Sequence, residues 1–125
     1  MERIALFPGS FNPFTIGHAN IVSRALNLFD KVIIGIGVNS EKSQEDIANN
    51  LEKIKSAYKN EPRVKVITYT TLTADVVKEE NATCIIRGIR NNVDLNYESE
   101  IAQVNYTLFK VETVFLLASP ELKEI

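Results

Sequence analysis

A loop near the N-terminus combines residue types that can hold a phosphate group. It spans residues 7–18, reads FPGSFNPFTIGH, and joins an apolar run to a helical pattern. Gly9 allows the backbone to approach a ligand closely. Gly17 and His18 fall in the first helical turn, where free N–H groups and the helix dipole attract an anion. A histidine at that point can donate a hydrogen bond to a phosphate oxygen, so the segment predicts an anion site at a loop–helix junction.

Basic residues follow two other apolar runs. Lys42 comes after the second run, and Arg87 and Arg90 come after the fourth, with Gly88 between them. A guanidinium group donates hydrogen bonds to phosphate in pairs, so the two arginines can converge on one polyphosphate. Lys42 can neutralise a phosphate as a point charge, although a lone loop lysine is more often only solvated. Glu98, in the next helical pattern, can accept from a ribose hydroxyl or stay in solvent.

The elements that must position these residues are visible in the apolar pattern. Apolar runs, most of them rich in β-branched residues, occupy residues 4–7, 32–38, 64–69, 84–86 and 113–117. Several are apolar at consecutive positions, which is typical of strands covered on both faces. The runs therefore predict five strands that are buried within the fold.

Helical periodicity fills most of the gaps between these runs. Apolar residues spaced by three and four predict helices that each place one apolar stripe against the sheet. The stripes are His18, Ile21, Val22, Ala25, Leu26 and Phe29; Ile47, Leu51, Ile54 and Tyr58; and Val93, Tyr97, Ile101, Val104 and Leu108. A shorter helix is predicted over residues 74–80, and the last helix is predicted to begin near Asn92.

Strands and helices alternate along the chain, which implies a parallel sheet with right-handed crossovers. We therefore predict an α/β fold, a doubly wound five-stranded parallel sheet of Rossmann-like type, in one domain over residues 1–125. Ligands of such sheets lie beyond the carboxyl ends of the strands, near a switch in strand order. The candidate residues follow predicted strands, so we expect them to meet at that edge.

Composition narrows the class of protein. The chain has 125 residues and a net charge of −2, with no basic stripe of the kind that nucleic-acid binders carry. Cys84 is the only cysteine and His18 the only histidine, which excludes an intrachain disulfide and disfavours a zinc or iron site. No apolar run approaches the ~20 residues of a membrane span, and no signal-peptide pattern opens the chain. These features predict a cytoplasmic protein.

The motifs carry a family resemblance. Thr15-Ile16-Gly17-His18 resembles the (His/Thr)-x-Gly-His signature of the α/β nucleotidyltransferases, and the PGSFNP before it resembles their Gly-(Ser/Thr)-Phe-Asp-Pro loop. The VDLNYE of residues 93–98 is similar to the (Ala/Val)-Asp-Phe-Glu-Tyr-Glu of one family in particular, the bacterial phosphopantetheine adenylyltransferases. With Lys42 and the RGIR of residues 87–90, the match to that family is collinear over residues 3–117.

Members of that family transfer the adenylyl group of ATP to 4′-phosphopantetheine, giving dephospho-coenzyme A and pyrophosphate. The resemblance implies catalytic roles for His18, Ser10 and Lys42. It implies ATP contacts by Ser10, Phe11, His18, Gly88, Ile89, Arg90 and Glu98, and phosphopantetheine contacts by Ser10, Lys42, Thr73 and Arg87. It also implies Mg²⁺ accompanying the ATP and a homohexameric assembly, while the charge and the apolar runs predict no nucleic-acid or membrane partner.

The chain departs from the family pattern at several points. Asn12 replaces the usual aspartate, Leu95 and Asn96 replace Phe-Glu, and residues 43–50 lack the usual Leu-Glu-Glu-Arg. Ile125 stands where the family's serine-rich ATP-binding stretch would begin, so we expect the family's C-terminal helices to be absent from this chain. Two alternatives stay open: a related cytidylyl- or nicotinamide-mononucleotide adenylyltransferase, and a non-catalytic nucleotide- or coenzyme-binding module.

Overall fold

A parallel β-sheet forms the centre of the fold. The computed structural model describes residues 1–39 and 41–122, and within them five strands pair in the order β3-β2-β1-β4-β5. The strands are β1 (Ile4–Gly9), β2 (Lys31–Gly37), β3 (Val64–Tyr69), β4 (Cys84–Ile89) and β5 (Thr113–Leu117). The helices are α1 (Ile16–Ala25), α2 (Gln44–Ala57), α3 (Thr73–Glu79) and α4 (Asn92–Phe109), and Pro120–Leu122 form a 3₁₀ turn. The predicted fold class and element order are confirmed.

The order of the strands places a crevice beside β1. This strand pairs with β2 on one side and with β4 on the other, with Leu6 opposite Ile33 and Ile85. The chain moves outward from β1 to β3 and then crosses back to β4, so the direction of winding reverses at β1. Ligands of open parallel sheets bind at the carboxyl ends of the strands that flank such a reversal. The ends of β1 and β4 are therefore the expected location of the site.

Both faces of the sheet are buried, as the consecutive apolar runs require. Phe7, Ile34 and Ile86 pack with α1 and α2 on one face. Leu6 and Ile85 pack with α3 and the end of α4 on the other. Burying a side chain of this size contributes about 1.5–3 kcal/mol. These two apolar layers hold β1 and β4 rigidly, and so fix the backbone from which the site residues project.

Helix α4 lies on the fold differently from the prediction. The predicted apolar stripe is exposed, with Val93 at 76%, Tyr97 at 64% and Leu108 at 68%. The face offset by one residue contacts the rest of the chain through Asp94, Glu98, Ala102, Asn105 and Phe109. The prediction that the stripe packs on the sheet is wrong, because the polar face of α4 is required at the carboxyl edge to meet the arginines of β4.

Strand β4 is longer than its apolar run. Backbone pairing with β5 continues through Arg87, Gly88 and Ile89, which lie opposite Phe115, Leu116 and Leu117. The prediction that Arg87 follows the strand is therefore wrong, since a charged side chain at the end of a strand does not stop backbone pairing. Arg87 projects from a rigid strand end, whereas Arg90 comes after it. Within the described ranges, 1–39 and 41–122, no helix is long and apolar enough to span a bilayer.

Candidate active site

A cavity of about 450 Å³ opens at the carboxyl ends of β1 and β4, where the strand order reverses. We call it the His18 cavity. Among its lining residues are Gly9, Ser10, Phe11, Asn12, Thr15, Gly17, His18, Asn20, Arg87, Gly88, Arg90, Asp94, Glu98, Ala118 and Ser119. It thus brings together the N-terminal loop, the start of α1, the end of β4 and the start of α4. The predicted meeting of the loop with the two arginines is found here.

The loop between β1 and α1 is held by its aromatic side chains. The ring of Phe11 is buried and lies edge-on to Phe7 and His18, with ring centroids 5.1 and 5.0 Å apart. The backbone of Phe11 adopts a φ of 48°, which is unusual for a bulky residue, and the burial of its ring offsets the cost of this strain. A Cβ on Gly9 would come within 3.0 Å of that ring, so a side chain there would push the ring aside. Ser10 is left exposed on the rim of the cavity.

His18 is fixed by reciprocal hydrogen bonds with Thr15, the residue that caps α1. The hydroxyl of Thr15 accepts from the backbone N–H of His18 at 3.3 Å, and Nδ1 of His18 accepts from the backbone N–H of Thr15 at 2.9 Å. This is a capping box in which histidine takes the position usually held by glutamate or glutamine. Because Nδ1 is an acceptor, the neutral ring carries its proton on Nε2. The ring therefore offers Nε2–H as a hydrogen-bond donor.

The surroundings of His18 favour its neutral form. Partial burial lowers its pKa below the usual 6.5, and the nearby guanidinium groups of Arg87 and Arg90 lower the pKa further. A neutral ring is also the form in which Nδ1 can accept from Thr15. Geometry and electrostatics thus agree on a neutral histidine at pH 7 that donates from one defined nitrogen.

We expect acidification to destabilise the protein through His18. The histidine of the unfolded chain titrates near 6.5 and that of the folded chain at lower pH, so between these values the unfolded state binds more protons. The contribution of neutral His18 to the free energy of unfolding is present above about pH 6.5, and it is lost as the pH falls through the pKa of His18 in the folded chain. Urea unfolding between pH 5 and 7.5 measures it. Since His18 is the only histidine, His18→Gln should have a flatter profile than the wild type; identical profiles would contradict this origin.

Arg87 forms a two-point ion pair with Glu98. Its Nε lies 3.0 Å from Oε1 of Glu98 and its Nη2 lies 2.7 Å from Oε2, while Nη1 donates to the backbone carbonyl of Pro8. Glu98 is only 8% exposed and is the one buried charged residue among those the structure describes. The arginine at the end of β4 is thereby attached both to α4 and to β1.

Arg90 forms a second, more exposed pair. Its Nε and its backbone N–H both donate to Oδ2 of Asp94, at 3.0 and 3.1 Å. The hydrogen bond from the Arg90 side chain holds the pKa of Asp94 below its usual value. Arg90 and Asp94 both line the His18 cavity. This places a cation at the rim of that cavity.

A second cavity, of about 230 Å³, lies on the other side of the Arg87–Glu98 pair. We call it the Thr73 cavity; it is lined by Pro8, Gly9, Tyr69, Thr73, Ile85, Arg87, Tyr97, Glu98, Ile101, Ala102, Asn105 and Thr113. The hydroxyls of Tyr69 and Thr73 are 2.9 Å apart. The hydroxyl of Thr113 is buried and has no hydrogen-bond partner in the described part of the chain. The cavity is mainly apolar, with a few polar groups that could orient a ligand.

Lys42 lies apart from the other predicted site residues. It lines a third cavity, of about 510 Å³, between the end of β2 and α2, together with Asn12, Asp46 and Lys53. Among the residues that the structure describes, only Asn12 lines both this Lys42 cavity and the His18 cavity. The His18 cavity therefore brings together most of the predicted site residues, namely Ser10, Phe11, His18, Arg87, Gly88, Arg90 and Glu98. Thr73 lines the adjoining cavity, and Lys42 lies apart from both. Ile89 is buried and lines none of the three cavities.

Several residues at the site were missed from the sequence. Arg24 donates to the carbonyl of Leu117 at 2.7 Å, and Ser119 donates to Asn20 at 3.0 Å. These bonds tie the segment after β5 to α1, where it forms a wall of the His18 cavity. Asn20 and Arg24 lie on α1 outside both its apolar stripe and its Thr-x-Gly-His motif, so no sequence pattern marks them. Ile125, which stands where the family's ATP-binding stretch would begin, lies outside the described residues.

The described residues contain no cluster of three or more histidine, cysteine, aspartate or glutamate side chains placed to hold a metal ion. A magnesium ion accompanying a nucleotide takes most of its ligands from phosphate oxygens and water. The cavity could therefore accept such an ion without a protein cage.

Comparison with known proteins first defines the class. The cytidylyltransferase-like family matches residues 6–125. A lipopolysaccharide core biosynthesis protein from Thermoplasma volcanium is similar in structure, with a TM-score of 0.63 and 16% identity over 95% of this chain and 98% of that one. A bifunctional NMN adenylyltransferase/ADP ribose pyrophosphatase from Francisella tularensis, in complex with AMP and a Mn ion, has a TM-score of 0.63 and 18% identity over 99% of this chain and 41% of its own. At such identities the likeness shows the fold alone, and the family match shows that the chain is of the cytidylyltransferase-like class.

Closer relatives define the family. The phosphopantetheine adenylyltransferase of Christiangramia forsetii is 48% identical over 92% of this chain and 77% of its own length. That of Cytophaga hutchinsonii is 48% identical over 100% of this chain and 85% of its own. That of Bacteroides fragilis is 46% identical over 96% of this chain and 81% of its own length. The chain belongs to the phosphopantetheine adenylyltransferase family, as its motifs predicted.

Proposed function

We propose that this chain transfers the adenylyl group of ATP to 4′-phosphopantetheine, forming dephospho-coenzyme A and releasing pyrophosphate, in coenzyme A biosynthesis. One observation carries this proposal: relatives of that name are 44–48% identical to the chain over nearly its whole length. The cavities support it, since a transfer between two substrates needs two adjoining sites. Because ATP is a cytoplasmic metabolite, we also propose that the protein acts in the cytoplasm.

The two cavities differ in the ligand they suit. The His18 cavity combines the N-terminus of α1, a histidine donor and Arg90, all of which favour a polyphosphate. The Thr73 cavity is lined by Ile85, Ile101 and other apolar groups with a few hydroxyls and one amide, which suits a chain of methylenes and amides such as pantetheine. We place ATP in the first and phosphopantetheine in the second. The phosphate of the acceptor then meets the α-phosphate of ATP beside Arg87.

The chemistry of the step is a displacement at phosphorus. An oxygen of the acceptor phosphate forms a bond to the α-phosphorus of ATP, and the bond from that phosphorus to the bridging oxygen of pyrophosphate breaks. A phosphate monoester has its second pKa near 6, so its oxygen is already anionic at pH 7 and no base is needed. Mg²⁺ bound to the ATP phosphates would neutralise part of the charge on the leaving group.

The protein residues contribute position and fixed charge. His18 donates Nε2–H to an oxygen of the α-phosphate as charge builds up there. Arg87 holds the acceptor phosphate, Arg90 holds the leaving phosphates, and Ser10 on the rim contacts both substrates. Gly88, with the backbone of Phe11 and Ile89, lets the nucleotide lie close to the strand ends, and Thr73 lines the pantetheine site. Lys42 is assigned to the acceptor phosphate by the resemblance alone, and this role stays a prediction.

Pyrophosphate release tests the proposed function. The chain is mixed with Mg-ATP and 4′-phosphopantetheine, with CTP in place of ATP and nicotinamide mononucleotide in place of the acceptor as controls. Release that needs ATP and phosphopantetheine together supports the proposal. Release with CTP or with the mononucleotide instead would identify a related transferase. Ligand binding without release would identify a non-catalytic coenzyme-binding module.

We also propose that the chain assembles with copies of itself, as a homohexamer, through the outer face of α4. Val93, Tyr97, Ile101, Val104 and Leu108 form an exposed apolar stripe on that helix. It spans sixteen residues, from Val93 to Leu108, which is about 22 Å along the helix. Monomeric proteins rarely expose a contiguous apolar patch of this kind. The hexameric number comes from the family resemblance.

A charge in this stripe is expected to dissociate the assembly. Val104→Asp places a carboxylate within the stripe, at a position that lines none of the three cavities. It should lower the mass measured by sedimentation equilibrium to that of the monomer or of a smaller oligomer. The control is Gln103→Asp, at the preceding position, which is also exposed. It should leave the mass unchanged. A wild-type chain that sediments as a monomer, or a Val104→Asp chain that keeps the wild-type mass, would contradict assembly through this face.

A further inference from the structure

We propose that Glu98 is the positioning residue for Arg87 and acts through it on the phosphopantetheine side of the reaction. This role rests on the proposed function. Glu98 reaches the site by its place on α4, and both of its oxygens accept from Arg87. At 8% exposure the residue is buried, and its carboxylate is held in this two-point pair.

Arg87 is held in place by some of its N–H groups, and its other N–H groups can donate to a phosphate. A guanidinium group has five N–H bonds. Two go to Glu98, from Nε and Nη2, and one goes from Nη1 to the carbonyl of Pro8. Within residues 1–39 and 41–122, no acceptor takes the other two, of which one is on Nη1 and one on Nη2. Two donors on adjacent nitrogens match two oxygens of one phosphate.

The orientation of the guanidinium depends on Glu98. An arginine side chain has several rotatable bonds, and confining it costs conformational entropy that a binding site must offset before the ligand arrives. Glu98 fixes two of the three nitrogens from α4, and Pro8 fixes the third from β1. Without the carboxylate, one hydrogen bond to Pro8 remains, and it does not define the plane of the group. The substrate would then have to order Arg87 as it binds.

The position of the pair indicates which substrate it serves. Arg87 and Glu98 line both cavities, but Pro8, the third member of the cluster, lines only the Thr73 cavity. The separate pair of Arg90 and Asp94 lines only the His18 cavity. Each substrate therefore has its own arginine held by its own carboxylate. Loss of Glu98 should weaken the acceptor site, and loss of Asp94 should weaken the nucleotide site.

Steady-state kinetics of Glu98→Gln in the full chain separates these roles. The amide keeps the volume and one acceptor oxygen but removes the charge and the second strong hydrogen bond. We expect the KM for phosphopantetheine to rise about 10–100-fold, because a hydrogen bond between charged groups is lost. The KM for ATP should change less than about threefold. Asp94→Asn should show the reverse pattern, and Glu100→Gln, an exposed carboxylate of the same helix, should change neither constant. A Glu98→Gln chain with a raised KM for ATP and an unchanged KM for phosphopantetheine would overturn the proposal.

A double-mutant cycle tests whether Glu98 acts through Arg87. If it does, Glu98→Gln should have almost no further effect on phosphopantetheine affinity in an Arg87→Met background. Effects that multiply would show that the two residues act separately, and would overturn the positioning role. Calorimetric binding of phosphopantetheine and of ATP, each alone, gives the same comparison without turnover. The wild-type chain shows first whether pyrophosphate is released at all, so failure of the proposed function is distinguished from failure of this role.

Discussion

Replacement of His18 by alanine is expected to lower turnover about 10²–10³-fold while changing the affinity for ATP less than about threefold. The reason lies in the timing of its hydrogen bond. Charge on the oxygens of the α-phosphate rises as the acceptor oxygen approaches, so a donor aimed at those oxygens stabilises the transition state more than bound ATP. Thr15 fixes Nδ1 as an acceptor, which leaves Nε2–H as that donor.

Single-turnover kinetics at saturating substrates and calorimetric titration with ATP measure these two quantities separately. Ser23→Ala, an exposed substitution on the same helix, is the control. His18→Gln, which keeps an N–H donor without the ring, should retain more turnover than His18→Ala. If ATP binding collapsed while turnover of the bound complex survived, His18 would be a ground-state contact, and its role as a transition-state donor would be wrong.

The central sheet could be predicted from the sequence because its pattern has one physical cause. Strands covered on both faces are apolar at consecutive positions, and the runs at residues 64–69 and 113–117 gave the bounds of β3 and β5. The same cause explains the error at β4. Its backbone pairing extends through Arg87 to Ile89, but the apolar run stops at Ile86, since a charged side chain at the edge of a sheet does not alter backbone pairing.

The error at α4 has a different origin. Hydrophobic periodicity identifies an apolar stripe but not what covers it. On α4 the stripe of Val93, Tyr97 and Val104 faces outward, while Glu98 and Asn105, on the offset face, form walls of a cavity. A helix that serves both a polar site and an apolar surface carries two stripes, and a single chain gives no signal for which one meets the sheet.

The candidate site was predictable where residues share a contiguous motif. The loop of residues 7–18 and the segment of residues 87–90 each come to the carboxyl edge as one piece, so His18 and Arg87 could be placed near each other. Tyr69 and Thr113 could not, because a tyrosine ending one strand and a threonine beginning another have no common pattern. Lys42 shows the converse: its position after β2 fits the edge rule, yet it lines a separate cavity.

Replacement of Arg87 by methionine is expected to destabilise the fold by about 3 kcal/mol, because it leaves the buried carboxylate of Glu98 without its partner. Breaking a fully buried pair costs about 3–5 kcal/mol, and the lower end applies since the Arg87 side chain is 31% exposed. Domains of this kind unfold with about 5–15 kcal/mol, so the loss is a large share of the total. The matched control is Arg90→Met, whose pair with Asp94 is more exposed and should cost no more than about 1 kcal/mol.

Urea unfolding at one protein concentration measures the effect, which should lower the midpoint by about 1–3 M for Arg87→Met. The double variant Arg87→Met/Glu98→Leu removes the buried charge together with its partner, and should recover most of the lost stability. It should not recover activity, because no guanidinium remains to hold the acceptor phosphate. Equal midpoints for the single and double variants would show that the unpaired carboxylate is not the source of the loss. Recovery of stability without recovery of turnover would separate the two functions of Arg87: it neutralises Glu98 inside the fold, and it presents two free donors to a substrate.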